Sequence, residues 1–244
     1  MTPRRSLALA AMLAGLIASL PRVLAAPQRA VRLNMPALQS VVGRPPAPLS
    51  PEERDDLAVL RWLQRYRTPE QVADTWLLLD RNLALFSPAL GVDLSKSAPA
   101  LLRGLRPFLS QVDEASSQLK LEAKRARPYL SNPDQQPCLP PEKGYSFPSG
   151  HATWYAAAAE LLAALVPERR ERLLQVGSHG GASRVMCGVH YPTDVEAGLR
   201  LGRAAAVQIQ ETAQWQAFRS DSNVQAELQQ LKAVSPGSLP YLVR

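Results

Sequence analysis

Apolar residues recur along most of this 244-residue chain at the three- and four-residue spacing of amphipathic helices. Two of these stretches begin with a helix-start signal, at residues 50–53 (SPEE) and at residues 68–71 (TPEQ). In each signal a hydroxyl side chain can accept a hydrogen bond from the first turn, and proline takes the first helical position. The pattern predicts one helix from the first signal and a second helix that continues from the other signal through Leu83.

The rest of the chain carries helical patterns as well, and no segment shows the sustained period-two alternation of a half-buried strand. Pro107 lacks the N–H that a helix interior needs, so we expect it to kink the helix that contains it. The predicted fold class is therefore all-α, a single helical bundle domain. The further predicted helices cover about residues 99–126, 149–165, 168–186, 193–217 and 222–233.

The N-terminus has the pattern of an export signal. Arg4 and Arg5 precede an uncharged, mostly apolar run of 15 residues, 6–20, and small residues follow near position 25. The alternative is a membrane anchor, but this run is shorter than the roughly 20 residues that a spanning helix needs. We expect a cleavable signal peptide over residues 1–25, and hence a periplasmic or secreted location.

Residues 26–49 contain five prolines and little apolar periodicity. This composition is typical of an extended segment, because proline supplies no backbone donor and favours turns and polyproline conformations. We therefore expect a proline-rich leader over 26–49 and the helical domain over 50–244.

Charge and cysteine content narrow the classes of partner. The formal net charge of +7 is typical of proteins that bind nucleic acid or an anionic membrane surface. Loss of Arg4, Arg5 and Arg22 with the signal would reduce it to +4, so we expect neither partner for the mature chain. The two cysteines form no Cys-x-x-Cys pair, and no Cys/His cluster has zinc spacing, so no metal is expected.

Two basic residues, Lys120 and Arg127, lie seven positions apart in a helical context. Seven residues make nearly two full turns, so both side chains are expected to project from one helix face and to close on a common anion. Pro128 is expected to end that helix. The alternative is a solvated basic face that also includes Lys124 and Arg125.

A second segment, residues 147–151 (FPSGH), precedes a long apolar run. Ser149 and Gly150 are expected at the N-terminus of that helix, where free N–H groups and the helix dipole favour an oxyanion. His151 would then lie in the first turn, placed to donate or accept a proton beside the anion. The alternative is a hydrogen-bonded packing histidine.

The third segment joins Ser183 and Arg184 to His190 and Asp194. The guanidinium of Arg184 offers a fork of donors that matches phosphate oxygens. Asp194, four residues beyond His190, can accept its Nδ1–H and leave a free lone pair on Nε2 for nucleophilic attack. Each segment alone is weak, but three of them with oriented donors or cations point to one anion site.

Together these segments resemble the three-part signature of the type 2 phosphatidic acid phosphatase and vanadium haloperoxidase superfamily. Within it, residues 145–198 look most like the class A bacterial non-specific acid phosphatases. Two positions depart from that pattern: Ala152 stands where threonine is frequent, and Tyr129 stands where phenylalanine is usual. Neither change removes a catalytic group, although either could alter the wall of the pocket.

The resemblance implies roles for the residues of the three segments. His190 would be the nucleophile that forms a phosphohistidine, and Asp194 would orient it. His151 would protonate the leaving alcohol and then activate water. The residues implied to hold the phosphoryl oxygens are Lys120, Arg127, Ser149, Gly150 and Arg184.

The implied function is that of an exported acid phosphatase that hydrolyses small phosphate monoesters and releases inorganic phosphate. No metal and no other cofactor is expected, because fixed cations and N–H groups can stabilise the transferring phosphoryl group. The sequence leaves open the physiological substrate and whether the chain forms a homo-oligomer.

Three alternatives share parts of this pattern. A vanadate-dependent haloperoxidase has the same anion site with different surroundings. A membrane lipid phosphatase needs several spanning helices, which this sequence lacks. A non-catalytic exported protein that binds phosphate or nucleic acid would not require the His190–Asp194 pair.

The remaining cysteine and histidine positions carry smaller predictions. In an exported chain an even pair of cysteines tends to oxidise, so Cys138 and Cys187 are a disulfide candidate; two buried thiols are the alternative. His179 is interpreted as a structural or surface residue.

Overall fold

A computed structural model describes residues 31–242 of the chain. The predicted signal peptide, residues 1–25, lies outside this range. Within it the regular structure consists of helices and contains no strand, which confirms the all-α prediction. The helices are α1 (Met35–Val42), α2 (Pro51–Tyr66), α3 (Pro69–Leu77), α4 (Ser87–Leu90), α5 (Leu94–Ser97), α6 (Pro99–Ala123), α7 (Pro128–Ser131), α8 (Gly150–Leu165), α9 (Arg170–Met186), α10 (Pro192–Gln210), α11 (Ala213–Arg219) and α12 (Ser222–Lys232), with 3-10 turns at Leu83–Phe86, Pro167–Arg169 and Pro236–Ser238.

Helix α8 lies at the centre of the bundle. It is apolar on nearly every side and packs against α9, α10 and α6. The close approach to α10 depends on Gly202, because a Cβ atom there would overlap the carbonyl oxygen of Thr153. Burial on all sides explains why α8 lacks a polar face. Within residues 31–242, no helix has both the length and the apolar character that crossing a lipid bilayer requires.

The two helix-start signals form the caps that the sequence predicts. The hydroxyl of Ser50 accepts from the N–H of Glu53 at 3.2 Å, and Thr68 and Gln71 exchange both bonds of a capping box. Helix α3 ends at Leu77, so it is shorter than the predicted helix, which continued through residue 83. A separate 3-10 turn begins at Leu83, and the side chain of Asn82 caps it.

The prediction of one helix over residues 99–126 is wrong at its C-terminal end. Helix α6 ends at Ala123, and Lys124 follows in a left-handed conformation with φ of 50°. Pro107 does lie inside α6, whereas Pro128 begins α7 and does not end α6. Arg127 therefore leaves the helix that carries Lys120 and reaches the site from an extended segment.

Part of the predicted leader is helical. Residues 35–42 form α1, whose first turn is capped by Asn34, and Leu38 and Val42 on one of its faces are buried. Helix α1 packs against α10, where Arg200 donates to the carbonyl of Val42 at 3.0 Å. The two buried apolar residues and the bond from Arg200 hold this short helix on α10, although two apolar residues give little periodic signal in the sequence.

The predicted helix over residues 193–217 is divided in two. Helix α10 ends at Gln210, and Thr212 caps α11 by accepting from the N–H of Trp215 at 3.2 Å. The break directs α11 and α12 back along the bundle, where the buried Trp215 packs edge-on against Phe108 of α6.

Candidate active site

The three segments found in the sequence meet at the N-terminus of α8. Ser149 caps this helix and also donates its N–H to the carbonyl of Asp194 at 2.9 Å, which joins the second segment to the third. Arg127 donates to the imidazole of His190 at 3.0 Å, which joins the first segment to the third. One small volume is therefore surrounded by residues from α6, from the segment that follows α6, and from α8, α9 and α10.

His190 has the tautomer that a nucleophile needs. A guanidinium can only donate, so the 3.0 Å contact from Arg127 makes Nε2 the acceptor and leaves the ring proton on Nδ1, 3.3 Å from Asp194 Oδ2. The side chain is buried, and burial lowers the pKa of His190; Asp194 and Glu142 act to raise it, and Lys120 and Arg127 act to lower it. With Arg127 donating to Nε2, the ring carries its single proton on Nδ1, and its Nε2 lone pair faces the cations.

Asp194 remains ionised although it is fully buried. Its Oδ2 accepts hydrogen bonds from the N–H of Tyr191 at 3.0 Å and from the hydroxyl of Ser146. Burial alone would raise the pKa of this carboxyl, but His190, Arg125 and Ser146 hold it below its ordinary value. A charged Asp194 can stabilise the positive charge that His190 gains when it attacks.

His151 faces the same volume from the first turn of α8. Its Nε2 lies 2.8 Å from the carbonyl of Leu79, which can only accept, so Nε2 carries the proton and Nδ1 points toward the site. Burial and the charge of Arg184 lower the pKa of His151 to about 3. A bound dianion beside Nδ1 would raise this pKa and make the imidazolium available as an acid.

Lys120 and Arg184 supply two of the cations. The amino group of Lys120 donates to the carbonyl of Tyr145 at 2.6 Å, and burial, assisted by the charge of Arg127, lowers its pKa to about 7. Within residues 31–242, the Nε and Nη1 atoms of Arg184 are buried without a hydrogen-bond partner. Unpaired buried donors are costly, so these two N–H groups are suited to an oxyanion.

Glu142 also lies in the site, although no sequence motif contains it. One oxygen of its carboxylate lies 2.8 Å from Nη2 of Arg127, and the other is ion-paired with Arg184. The same carboxylate lies 3.8 Å from Nε2 of His190 and 3.7 Å from Nδ1 of His151. Burial opposes its ionisation, but the adjacent charges of Arg127 and Arg184 keep the pKa of Glu142 well below its ordinary value.

Tyr129 holds the backbone of Glu142 in place. The phenol accepts from the N–H of Glu142 and donates to its carbonyl, both at 3.0 Å. The loop around Glu142 has no periodic pattern, so the sequence offers only one signal for it. That signal is Tyr129 itself, whose hydroxyl is the group by which it differs from the usual phenylalanine.

A comparison with protein families covers the same three segments. The model of the PAP2 superfamily matches residues 85–217, which is more than half of the chain and includes all three segments. The chain belongs to the PAP2 superfamily. The superfamily resemblance seen in the sequence is thereby confirmed, whereas the narrower class A assignment stays a prediction.

Several relatives are phosphatases by name. Over 169 residues the chain is 28% identical to a non-specific acid phosphatase of Salmonella typhimurium, covering 66% of each protein. It is 32% identical to an acid phosphatase of Zymomonas mobilis, over 57% of this chain and 54% of that protein. A lipid A 1-phosphatase of Rhizobium johnstonii is also 32% identical, over 52% of this chain and 57% of its own. The chain thus spans about two thirds or less of the length of these relatives.

A solved structure shares the fold. It is the transmembrane PAP2 type phosphatidylglycerolphosphate phosphatase from Bacillus subtilis, with a TM-score of 0.51 and 20% sequence identity. The alignment covers 72% of this chain and 90% of that one. At this identity the likeness extends to the PAP2 fold alone.

Ser149 and Gly150 form the helix end of this candidate site. The hydroxyl of Ser149 accepts from the N–H of Ala152 at 3.5 Å, and the first N–H groups of α8 have no acceptor within the helix. A Cβ atom on Gly150 would lie 3.6 Å from the Ser116 hydroxyl and 3.7 Å from Cε of Lys120. These are ordinary contacts, so glycine here keeps the space beside Lys120 open without being sterically required.

A disulfide between Cys138 and Cys187 fixes the loop that carries Glu142. The two Cα atoms are 4.7 Å apart, and the N–H of Cys138 donates to the carbonyl of Cys187 at 3.0 Å. Cys187 follows the end of α9, three residues beyond Arg184. The bond therefore links the Glu142 loop to the helix that supplies one of its ion-pair partners.

Two remaining predictions concern metal and His179. Among residues 31–242, no group of three or more His, Cys, Asp or Glu side chains is arranged to hold a metal ion. His179 is half-buried and lines a cavity of about 220 Å³ with residues such as Leu77 and Tyr241, none of them from the three segments.

Proposed function

We propose that this protein hydrolyses phosphate monoesters through a phosphohistidine on Nε2 of His190, without a metal ion. The observation that carries the proposal is the position of the Glu142 carboxylate. It lies between Arg127 and Arg184, with one nitrogen of His151 and one of His190 within 4 Å. Its two oxygens stand in for oxygens of a phosphoryl group, and the surrounding groups are those that phosphoryl transfer requires.

In the first step the phosphoryl group of the ester replaces the Glu142 carboxylate. Its oxygens receive donors from Arg127, Lys120 and the unpaired N–H groups of Arg184. Nε2 of His190 attacks phosphorus while the P–O bond to the alcohol breaks, and the departing oxygen takes the proton of His151. The ring of His190 becomes positively charged, and the adjacent Asp194 stabilises that charge.

In the second step neutral His151 removes a proton from water as the water oxygen attacks phosphorus. The P–N bond breaks, and its electron pair returns to Nε2 of His190. Inorganic phosphate leaves and His151 is again protonated. The two steps need His190 neutral and His151 protonated at the same time, so the rate is expected to be bell-shaped in pH, on the acidic side of neutral.

The proposed substrates are small, soluble phosphate monoesters. The names of the Salmonella and Zymomonas relatives support this choice, while the lipid A phosphatase in the same family marks lipid phosphates as the competing class. We also propose export to the periplasm or beyond. The disulfide between Cys138 and Cys187 supports an oxidising compartment, since such bonds are rare in the cytosol.

The test uses the full chain as it is isolated, with p-nitrophenyl phosphate as substrate from pH 4 to 9. We expect hydrolysis that EDTA does not diminish, a rate maximum below pH 7, and a phosphoenzyme that survives a quench in base and decays in acid. Activity that EDTA abolishes and a divalent cation restores would contradict the proposal. So would a rate that rises steadily above pH 8.

A further inference from the structure

A second set of buried charges lies behind His190, on the side away from Glu142. Nη1 of Arg125 donates to Asp194 Oδ1 at 2.8 Å, and Nη2 of Arg125 donates to Asp56 Oδ2 at 2.9 Å. The side chain of Arg125 is 6% exposed, that of Asp194 is 0% exposed and that of Asp56 is 2% exposed. We name the row Asp56–Arg125–Asp194 the back network.

Each member of the back network is held from several directions. Asp56 accepts the N–H of Thr193 at 2.9 Å and the Thr193 hydroxyl at 2.5 Å. The guanidinium of Arg125 lies over the ring of Tyr191, 3.7 Å from its centroid. Both carboxylates and the aromatic ring therefore determine where the guanidinium lies.

Asp56 comes from α2, which precedes the region that the PAP2 family model matches. The family comparison therefore gives no role to this residue, and its contact with the site follows from the tertiary structure alone.

The two oxygens of Asp194 have different partners. Oδ2 receives the bonds of the site, from His190, Ser146 and Tyr191, whereas Oδ1 is bonded to Arg125. A carboxylate this deeply buried needs a counter-ion to remain charged. The charged or titratable groups that face it are His190, Arg125 and, from α6, Lys120, with two α2 carboxylates behind Arg125. These are Asp56 and the partly buried Glu53, whose Oε1 lies 3.9 Å from Nη2 of Arg125.

We infer that Arg125, held by Asp56, is a positioning residue for the proposed reaction. It keeps Asp194 ionised and aimed at Nδ1 of His190, and it acts on the nucleophile without touching the substrate. The inference rests on the proposed function. The competing interpretation is an ion pair that stabilises the fold and has no effect on the proton equilibrium of the His190–Asp194 pair.

The sign of the electrostatic effect separates these interpretations. Removing a buried cation raises the pKa of both Asp194 and His190, so R125M should move the acid limb of the rate profile to higher pH, by about one to three units. Removing a buried anion acts in the opposite sense, so D56N should move the same limb to lower pH. Loss of a purely structural ion pair predicts no such opposed shifts.

The experiment measures kcat and KM for p-nitrophenyl phosphate against pH in four variants of the full chain. R125M should lower kcat about 10- to 100-fold, the range found when a metal-ligating side chain loses the partner that orients it, and should change KM little. R125K restores the charge and should return the acid limb to near its original pH with part of kcat. K124M makes the same chemical change at the exposed neighbouring residue and should behave as the unchanged protein.

Unfolding midpoints of all variants accompany the kinetics. If R125M does not fold, the D56N and R125K arms still decide the question. The inference would be overturned, and the proposed function would stand, if the acid limbs of the variants coincided with that of the unchanged protein. In that case kcat would fall only as the unfolding midpoint falls. An unchanged protein that neither hydrolyses the substrate nor forms a phosphoenzyme would overturn the proposed function, and the inference with it.

Discussion

The two sides of His190 hold arginine–carboxylate pairs in different ways. In front, Glu142 lies on a loop and pairs with Arg127 and Arg184. The side chain of Glu142 is 23% exposed. Behind, Arg125 lies between two carboxylates in the back network, where no side chain is more than 6% exposed. The chemistry of the pairs is the same, but their access to solvent is not.

This difference separates a replaceable counter-ion from a permanent one. In the proposed reaction the front carboxylate moves toward water when a phosphoryl group takes its place, and its partial exposure allows this. No member of the back network can move into water, since the partners left behind would hold an uncompensated buried charge. In the proposed reaction the imidazole of His190 thus lies between an exchangeable anion, which the substrate phosphoryl group replaces, and a fixed anion that holds its proton.

The largest effect should come from the residue between the two sides. H190A removes the nucleophile, so we expect kcat for p-nitrophenyl phosphate to fall at least about 1000-fold, with no phosphoenzyme after a base quench. Binding of inorganic phosphate should persist, because the cations remain. H179A, the change at the histidine outside the site, is the control and should keep full activity. If H190A kept a tenth of the activity, His190 could not be the nucleophile.

An intermediate effect concerns the proton equilibrium of His151. Its pKa in the folded protein is about 3, below the value of about 6.5 in an unfolded chain. The stability that a neutral His151 contributes is therefore complete above about pH 6.5 and is lost as the pH falls toward 3. Between pH 6.5 and 4.5 the unchanged protein should lose up to about 1.4 kcal/mol per pH unit more than H151Q. Urea unfolding at both pH values measures this, and equal losses would contradict the burial argument.

The smallest predicted effect tests the exchangeable side. E142Q removes the internal competitor but retains its size, so inorganic phosphate should bind about tenfold more tightly, measured by calorimetry at pH 6. E196Q makes the same change at an exposed position on α10 and should bind phosphate as the unchanged protein does. Weaker binding to E142Q would mean that the carboxylate orders the arginines instead of competing with the ligand.

Sequence reasoning identified the residues whose chemistry is local. His151 and Gly150 stand at a helix start, and His190 stands four positions before Asp194, so their proposed placement beside an anion is suggested by short-range geometry. Arg127 was expected at the site through a helix that in fact ends at Ala123. Its role depends on the guanidinium reaching the site, and the extended segment after the left-handed Lys124 provides that reach.

Glu142 and the back network could not be predicted in this way. Glu142 lies on a loop without periodicity, and its approach to the arginines depends on Tyr129 and the disulfide. The sequence offers Arg125 only within the alternative interpretation, a solvated basic face, and the packing of α2 buries it against Asp56. Contacts between residues 69 positions apart leave no local pattern in a single sequence.

The sequence by itself determined the helical class and the kinds of groups that could meet a phosphoryl oxyanion, because helix caps, periodicity and short spacings act over a few residues. The tertiary structure alone decided which carboxylate faces the cations, which one lies behind the nucleophile, and which of them water can reach. Those properties depend on burial, and burial is a property of the folded chain.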